Sequence, residues 1–389
     1  MAGMAIETPA PGPSTDGSRP SPLPYDALLL YSFGGPNKPE DVVPFLRNVT
    51  AGKGIPDARL EEVGEHYYGF GGKSPINGQN LALKAALEAE LAARGIDLPV
   101  VWGNRNWEPY TRDAVAELAD LGAQRAVALV TSAYSSYSGC RQYREDLALT
   151  LEARGELGEH GSTGIQFDKV RSYFNHPGFA QANVDAVVEA YRELADGTGA
   201  HLVFVTHSIP LTMEAASAVS GATYSAQHLD LAGVVAERVA AELGHPVEWT
   251  LAYCSRSGPP SQPWLEPDVN DHLGELARAG TRAVVLSPIG FVSDHMEVVY
   301  DLDTEALATA RDLGLTAVRA GTVGTRAPFV AGLVDLVLER AALARGEDVA
   351  EESVGSMGAF DSVCRPGCCR RRDGEDSGVP ALCSTGLYT

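Results

Sequence analysis

No stretch of this chain approaches the roughly 18 consecutive apolar residues that a membrane-spanning helix needs. Residues 1–24, rich in Pro, Ser and Gly, hold no apolar run behind a basic start, so no secretory leader is expected. Positive charge is scarce too. Thirty Lys and Arg stand against 51 Asp and Glu, a formal charge of −21, and no basic stripe interrupts the imbalance. Nucleic-acid binding needs clustered cations against phosphate, so that class is excluded. An anionic small molecule would need a local basic pocket in an acidic surface. Also missing is a G-x-G-x-x-G turn after the first strand pattern. SFGGPNKPED (32–41) puts proline where helix-opening glycines would be needed, which argues against a dinucleotide site. These absences lead us to expect a cytoplasmic protein. Its six cysteines then read as metal ligands, reactive groups or core rather than disulfides.

What the chain does have is a long alternation. Short β-rich runs fall at 26–33, 99–104, 125–132, 164–170, 201–207, 247–254, 282–288 and 315–319. Amphipathic helical patterns lie between them, among them 80–94, 111–121, 177–194 and 229–243, and a last one covers 328–345. Apolar strands alternating with helices of this length predict parallel sheets covered on both faces. The expected organisation is a disordered tail at 1–24, an N-terminal α/β domain at 25–175, a C-terminal α/β domain at 176–345, and a Cys-rich tail at 346–389.

The halves look related. DALLLYSFGGP (26–36) aligns with HLVFVTHSIP (201–210), which sets Phe33 opposite His207. Separately, RAVALVTSAYSSYSGCRQYREDL (125–147) aligns with RAVVLSPIGFVSDHMEVVYDLDT (282–304), setting Cys140 opposite Glu297 and Tyr143 opposite Tyr300. Two pairs in one order predict two similar doubly wound, Rossmann-like domains facing across a cleft. Ligands in such sheets gather at the carboxyl ends of strands, where His207 and Cys140 fall.

His207 ends an apolar run and precedes Pro210, so it reads either as a core or capping histidine or as a cleft residue. Glu297, Asp301 and Glu305 recur every four residues, which predicts three carboxylates on one α-helical face. Over an α-helix that column would span about 12 Å. A solvated acidic face is the ordinary reading of such a column, but Glu297 starts in an apolar turn with His295 two residues before it. Hard carboxylates and imidazole suit the transient handling of a divalent first-row cation.

The runs LLYSFGGP (29–36), HYYGFGGKSPI (66–76), VTHSIP (205–210), PWLEPDV (263–269) and GFVSDHMEVVYD (290–301), in this order, resemble the ferrochelatases over about residues 25–345. In that family the histidine of VTHSIP and the glutamate of the last run face each other across the porphyrin. The resemblance therefore implies His207 and Glu297 as catalytic, and His207, Glu297, Asp301 and Glu305 as handlers of substrate Fe²⁺. The chemistry suits them. Metallation takes two pyrrole protons from a nearly rigid macrocycle, so a base must lie close to the ring. Phe33, Ser74, Arg105 and Tyr134 are the implied porphyrin contacts, with Arg47, Lys53, Arg141 and Trp264 as weaker ones. Some members carry tyrosine, an iron ligand in the product, where Phe33 stands. A phenyl ring cannot ligate iron, so Phe33 is expected to pack against the macrocycle.

The segment VVPFLRNVTAGKGIPDARLEEVGEHYYG (42–69) is shorter and more polar than the apolar lip of membrane-associated members, and resembles the soluble actinobacterial enzymes. That implies coproporphyrin III as substrate, with protoporphyrin IX the alternative. Implied partners are the porphyrin, ferrous iron and, transiently, neighbouring enzymes of haem synthesis. Several members hold a [2Fe–2S] cluster on three tail cysteines and one internal cysteine, which implies Cys140, Cys364, Cys368 and Cys369 here. Four thiolates would equally suit zinc. Neighbouring Cys368 and Cys369 are awkward joint ligands, and Cys383 offers a substitute. Cys254, at a strand end, reads as a buried small residue. A cobalt or nickel chelatase and a non-catalytic tetrapyrrole or haem carrier are the rival readings.

Overall fold

A computed structural model describes residues 21–52, 54–159, 161–194, 199–258, 261–371, 378–383 and 386–388. Most of the expected N-terminal tail, and Lys53, lie outside them. All eight β-rich runs become strands. In the first lobe these are β1 (Ala27–Ser32), β2 (Val100–Asn104), β3 (Arg125–Val130) and, after a small hairpin of β4 (Leu157–Gly158) and β5 (Gly161–Ser162), β6 (Gln166–Lys169). They form a parallel sheet in the order β2-β1-β3-β6. The second lobe uses β7 (His201–His207), β8 (Trp249–Cys254), β9 (Ala283–Ser287) and β10 (Thr316–Arg319), parallel in the order β8-β7-β9-β10. Matching β1 to β7 and β3 to β9, as the alignments do, makes the two orders the same. Every residue of β1 is buried, which is why it reads as a continuous apolar run.

Helices cover both sheets. The first lobe carries α1 (Val42–Val49), α2 (Asp57–Tyr68), α3 (Ile76–Ala93), α4 (Thr111–Asp120) and α5 (Gln142–Ala153). The second carries α6 (Pro177–Glu193), α7 (Leu211–Ser217), α8 (Tyr224–Leu243), α9 (Val269–Ala279), a single turn α10 (Met296–Val298) and α11 (Leu307–Asp312). After its third strand each lobe also has a π-helical stretch, Tyr137–Arg141 in one and Val299–Ala306 in the other. The spacing of four predicted an α-helical column for Glu297, Asp301 and Glu305. The chain instead opens from α10 into π geometry, whose hydrogen bonds reach one residue further, so the α-helical length does not apply.

The last helix, α12 (Ala327–Ala344), crosses back. It packs on α6 but also on α3 and β3 of the first lobe. Two buried ion pairs fix it there: Glu339 with Arg171 at 2.8 Å and Arg340 with Asp168 at 3.1 Å. One apolar core runs through both lobes, joining Leu28 and Val127 to Phe204, Val285 and Leu333. The tail then lies along both. Val354 N–H donates to the Asn175 carbonyl (2.8 Å), Ser356 donates twice to Asp230 of α8, and Phe360 meets Phe174 edge-on. A hairpin of β11 (Ala381–Cys383) and β12 (Gly386–Tyr388) sets Leu382 into the first lobe's core. The side chain of Cys383 lies outside the described residues.

Candidate active site

His207 is the last residue of β7, paired in register with Cys254 of β8. Its neighbour Ser208 continues the ladder by donating to the Cys254 carbonyl at 2.8 Å, so the imidazole stands where the sheet ends. Nδ1 bonds to the Ser208 carbonyl and therefore carries a proton. That aims Nε2 at Glu297, whose Oε1 is 3.5 Å away. Glu297 is held in turn by His295, whose Nδ1 accepts the Glu297 backbone N–H at 3.2 Å and caps α10.

Burial alone would lower the His207 pKa, but the Glu297 carboxylate and the Ser208 carbonyl outweigh it, and the value rises to about 9. His295 is lowered by burial, against the pull of Glu297. Asp301 is pushed up to about 7, first by burial and then by Glu297 and Glu305, although the Ser255 hydroxyl donates to it and opposes the rise. Ser255 holds this bond from a left-handed backbone, φ 62°, a costly conformation for serine. Glu305 is exposed. The row thus runs from a charged His–Glu pair, through a carboxyl that is half ionised near neutrality, to solvent. Among the described residues no group of three or more His, Cys, Asp or Glu is arranged to hold a metal ion. Burial and Asp301 push the Cys254 thiol up, as suits a plain core residue.

Phe33, just past β1, packs on Phe45 with ring centroids 6.2 Å apart. The Arg105 guanidinium lies 5.9 Å from the Phe33 ring and 5.0 Å over Tyr143. Its Nε and Nη1 are buried without a hydrogen-bond partner, a state that favours an anionic ligand. Ser74 is buried at the start of α3, its hydroxyl accepting the Ile76 N–H at 3.4 Å. Tyr134 is a correction. It is 2 % exposed, stacked on His228 at 3.5 Å, and its hydroxyl donates to the Ile289 carbonyl at 3.0 Å, so it joins the lobes and offers no face to a ligand. Two weaker candidates are engaged elsewhere: Arg47 with Asp57 on the surface, and Arg141 with Glu145 in the interior, each at 2.8 Å. The Trp264 indole packs over Gly258, where a Cβ would meet it at 2.3 Å.

Sequence reasoning passed over the α2 residues. His66 stacks on Tyr300 (3.8 Å, 7°), bringing α2 of the first lobe over the π-helix of the second. Tyr67 comes close enough that, after burial, Glu297 and Asp301 raise its hydroxyl pKa. Both residues lie within HYYGFGGKSPI, whose pattern held the signal.

Cys140, Cys364, Cys368 and Cys369 form one buried cluster. Cys369 takes a left-handed backbone, φ 54°, and its Sγ comes within 3.5 Å of that of Cys368. Hydrogen bonds from Cys364 and Cys369 draw the Cys140 and Cys368 thiols down, Cys368 to about 4, helped at both by the charge of Arg144; Cys369 is pushed up.

The model of the family described as Ferrochelatase matches residues 25–341. The coproporphyrin III ferrochelatase of Leifsonia xyli subsp. xyli is 53% identical over 367 residues, covering 90% of this chain and 92% of that one. That of Streptomyces coelicolor is 54% identical over 356 residues, covering 90% and 94%. The ferrochelatase of Rhodopirellula baltica is 45% identical over 348 residues, covering 89% and 93%.

Proposed function

The chain belongs to the ferrochelatase family, and from that we propose that it inserts ferrous iron into coproporphyrin III, releasing two protons and forming Fe-coproporphyrin for haem synthesis. The observation that carries this is the His207–Glu297 pair, 3.5 Å apart at the carboxyl edge of the second sheet, with Asp301 and Glu305 leading from it to solvent. Coproporphyrin III as the substrate is supported by the names of the Leifsonia and Streptomyces relatives.

The protonation states give each group a task. With His207 raised to about 9, the pair holds one proton at neutral pH, and the Glu297 carboxylate beside it can take one pyrrole proton. Asp301, near 7, can take the second or pass it outward. Fe²⁺ competing for the Nε2 lone pair would displace its proton, which leaves along Asp301 and Glu305 to solvent before the pyrrole protons follow the same row. Phe33 packs against the macrocycle, and Arg105 and Ser74 receive propionates: Arg105 through its two unpaired nitrogens, Ser74 at the N-terminus of the long helix α3. Four carboxylates on the substrate suit water-borne capture. No described helix is long and apolar enough to cross a membrane, and we read the protein as cytoplasmic.

The four converging thiols fit the donor set of a [2Fe–2S] cluster, two of them depressed towards thiolate, with Arg144 adding positive charge at both and Lys169 at Cys140. We assign Cys140, Cys364, Cys368 and Cys369 as its ligands. When bound, the cluster supplies iron–thiolate bonds that tie the tail to the first lobe.

The test is anaerobic Fe²⁺ insertion by purified protein, with coproporphyrin III and protoporphyrin IX compared side by side. Faster turnover of coproporphyrin is expected. Preference for protoporphyrin would overturn the substrate, and no turnover of either would overturn the reaction.

A further inference from the structure

One buried titratable side chain of the second lobe has no part in the chemistry above. His228 of α8 is 0 % exposed. Its Nδ1 lies 2.7 Å from the Tyr224 carbonyl, which can only accept, so Nδ1 holds the proton. Burial keeps the ring neutral, with its pKa down at about 3, and Nε2 is a lone pair. Thr206 Oγ1, at 2.9 Å, must then donate to Nε2. With its proton committed, Thr206 accepts from the Tyr224 hydroxyl at 2.6 Å, and that hydroxyl also faces the His207 carbonyl at 3.2 Å. The His228 and Thr206 hydrogens each run one way, and the single Tyr224 hydrogen is shared between Thr206 and the His207 carbonyl.

The same set reaches the other member of the pair. Gly290 lies so close to Thr206 that a Cβ on it would meet Oγ1 at 2.0 Å, and its N–H bonds the Val205 carbonyl at 3.3 Å. Gly290 opens the loop that leads to Glu297. From the first lobe, Tyr134 lays its ring flat on His228 and donates to the Ile289 carbonyl at 3.0 Å. We propose that His228 is a positioning residue for metal insertion: an imidazole of fixed tautomer that holds the end of β7, with His207, in register with the loop leading to Glu297, and couples both to the first lobe through Tyr134. This rests on the insertion reaction proposed above.

Two substitutions separate hydrogen bonding from bulk. His228→Phe keeps the ring stacked on Tyr134 but removes the acceptor that fixes the direction of the Thr206–Tyr224 bond, so that Thr206 can turn to donate to Tyr224; His228→Gln loses the stack but keeps an acceptor for Thr206 and a donor for the Tyr224 carbonyl. Insertion of Fe²⁺ into coproporphyrin III is measured with porphyrin affinity by fluorescence quenching. We expect kcat to fall tenfold or more in His228→Phe, with porphyrin affinity within twofold of the parent, and to recover to within about threefold in His228→Gln. Unchanged kcat in His228→Phe, or parallel loss of rate and affinity in both variants, overturns the proposal. Should either misfold, Tyr134→Phe keeps the stack and removes only the bond to Ile289; it should lower kcat severalfold, and an unchanged kcat there overturns the coupling. Absence of turnover in the parent protein would overturn the reaction instead.

Discussion

Asp301→Asn should stabilise the protein above pH 7 while slowing iron insertion. Burial raises the carboxyl from 3.8 to about 7 in the folded state, so between those values the folded chain holds a proton that the unfolded chain has released. Stability therefore falls as pH rises through this window and stays lowered above it. The shift corresponds to about 4 kcal/mol at roughly 1.4 kcal/mol per unit. The charges around Asp301 readjust when it is changed, so about half of that, ~2 kcal/mol, is the expected gain. Asparagine keeps an acceptor for the Ser255 hydroxyl, so no donor is stranded. Urea unfolding followed by tryptophan fluorescence at pH 4, 6 and 8 reads the difference. The variant should match the parent at the lowest pH and exceed it increasingly at the higher two. A gain independent of pH, or a loss at pH 8, would refute the placement of a strained carboxyl in this row.

His207→Ala should abolish metal insertion and leave porphyrin binding, by fluorescence quenching, within a few-fold of the parent; retained turnover removes the imidazole from the mechanism. Cys140→Ser should strip the brown cluster absorbance from protein purified without oxygen, and an unchanged visible spectrum would rule that thiol out as a ligand. Glu339→Gln leaves Arg171 buried beside a neutral partner and should cost about 3–5 kcal/mol in denaturant unfolding, since the guanidinium keeps only part of its compensation. A cost below 1 kcal/mol would show that the bond from Arg171 to the Glu352 carbonyl suffices.

The strands were legible because parallel strands buried on both faces leave unbroken apolar runs, and β1 is buried throughout. Their order was partly legible as well, through the two alignments that match β1 to β7 and β3 to β9. His207 and Glu297, singled out from two specific motifs, are brought within 3.5 Å of each other by the fold. Tyr134 was misplaced because a strand-end aromatic looks the same in sequence whether it faces a ligand or the other lobe. A spacing of four cannot distinguish an α-helix from the π-helix at Val299–Ala306, since either keeps such residues near one face. Ser255 and His228 gave no signal. Their roles come from a left-handed backbone and from partners far away in the chain, and neither leaves a local pattern.

The return of α12 to the first lobe bears on how the chain is made. Residues 327–344 leave the ribosome after every strand of both sheets, yet they cover α3 and touch β3 of the first lobe. Until then the nascent first half has Arg171 and Asp168 without two partners and an apolar helix face open to water. The sheet of that half can pair early, but its burial is completed only when α12 arrives. A fragment ending at the boundary between the lobes should therefore collapse without reaching native packing, and synthesis stalled before α12 would present a surface that holding chaperones bind.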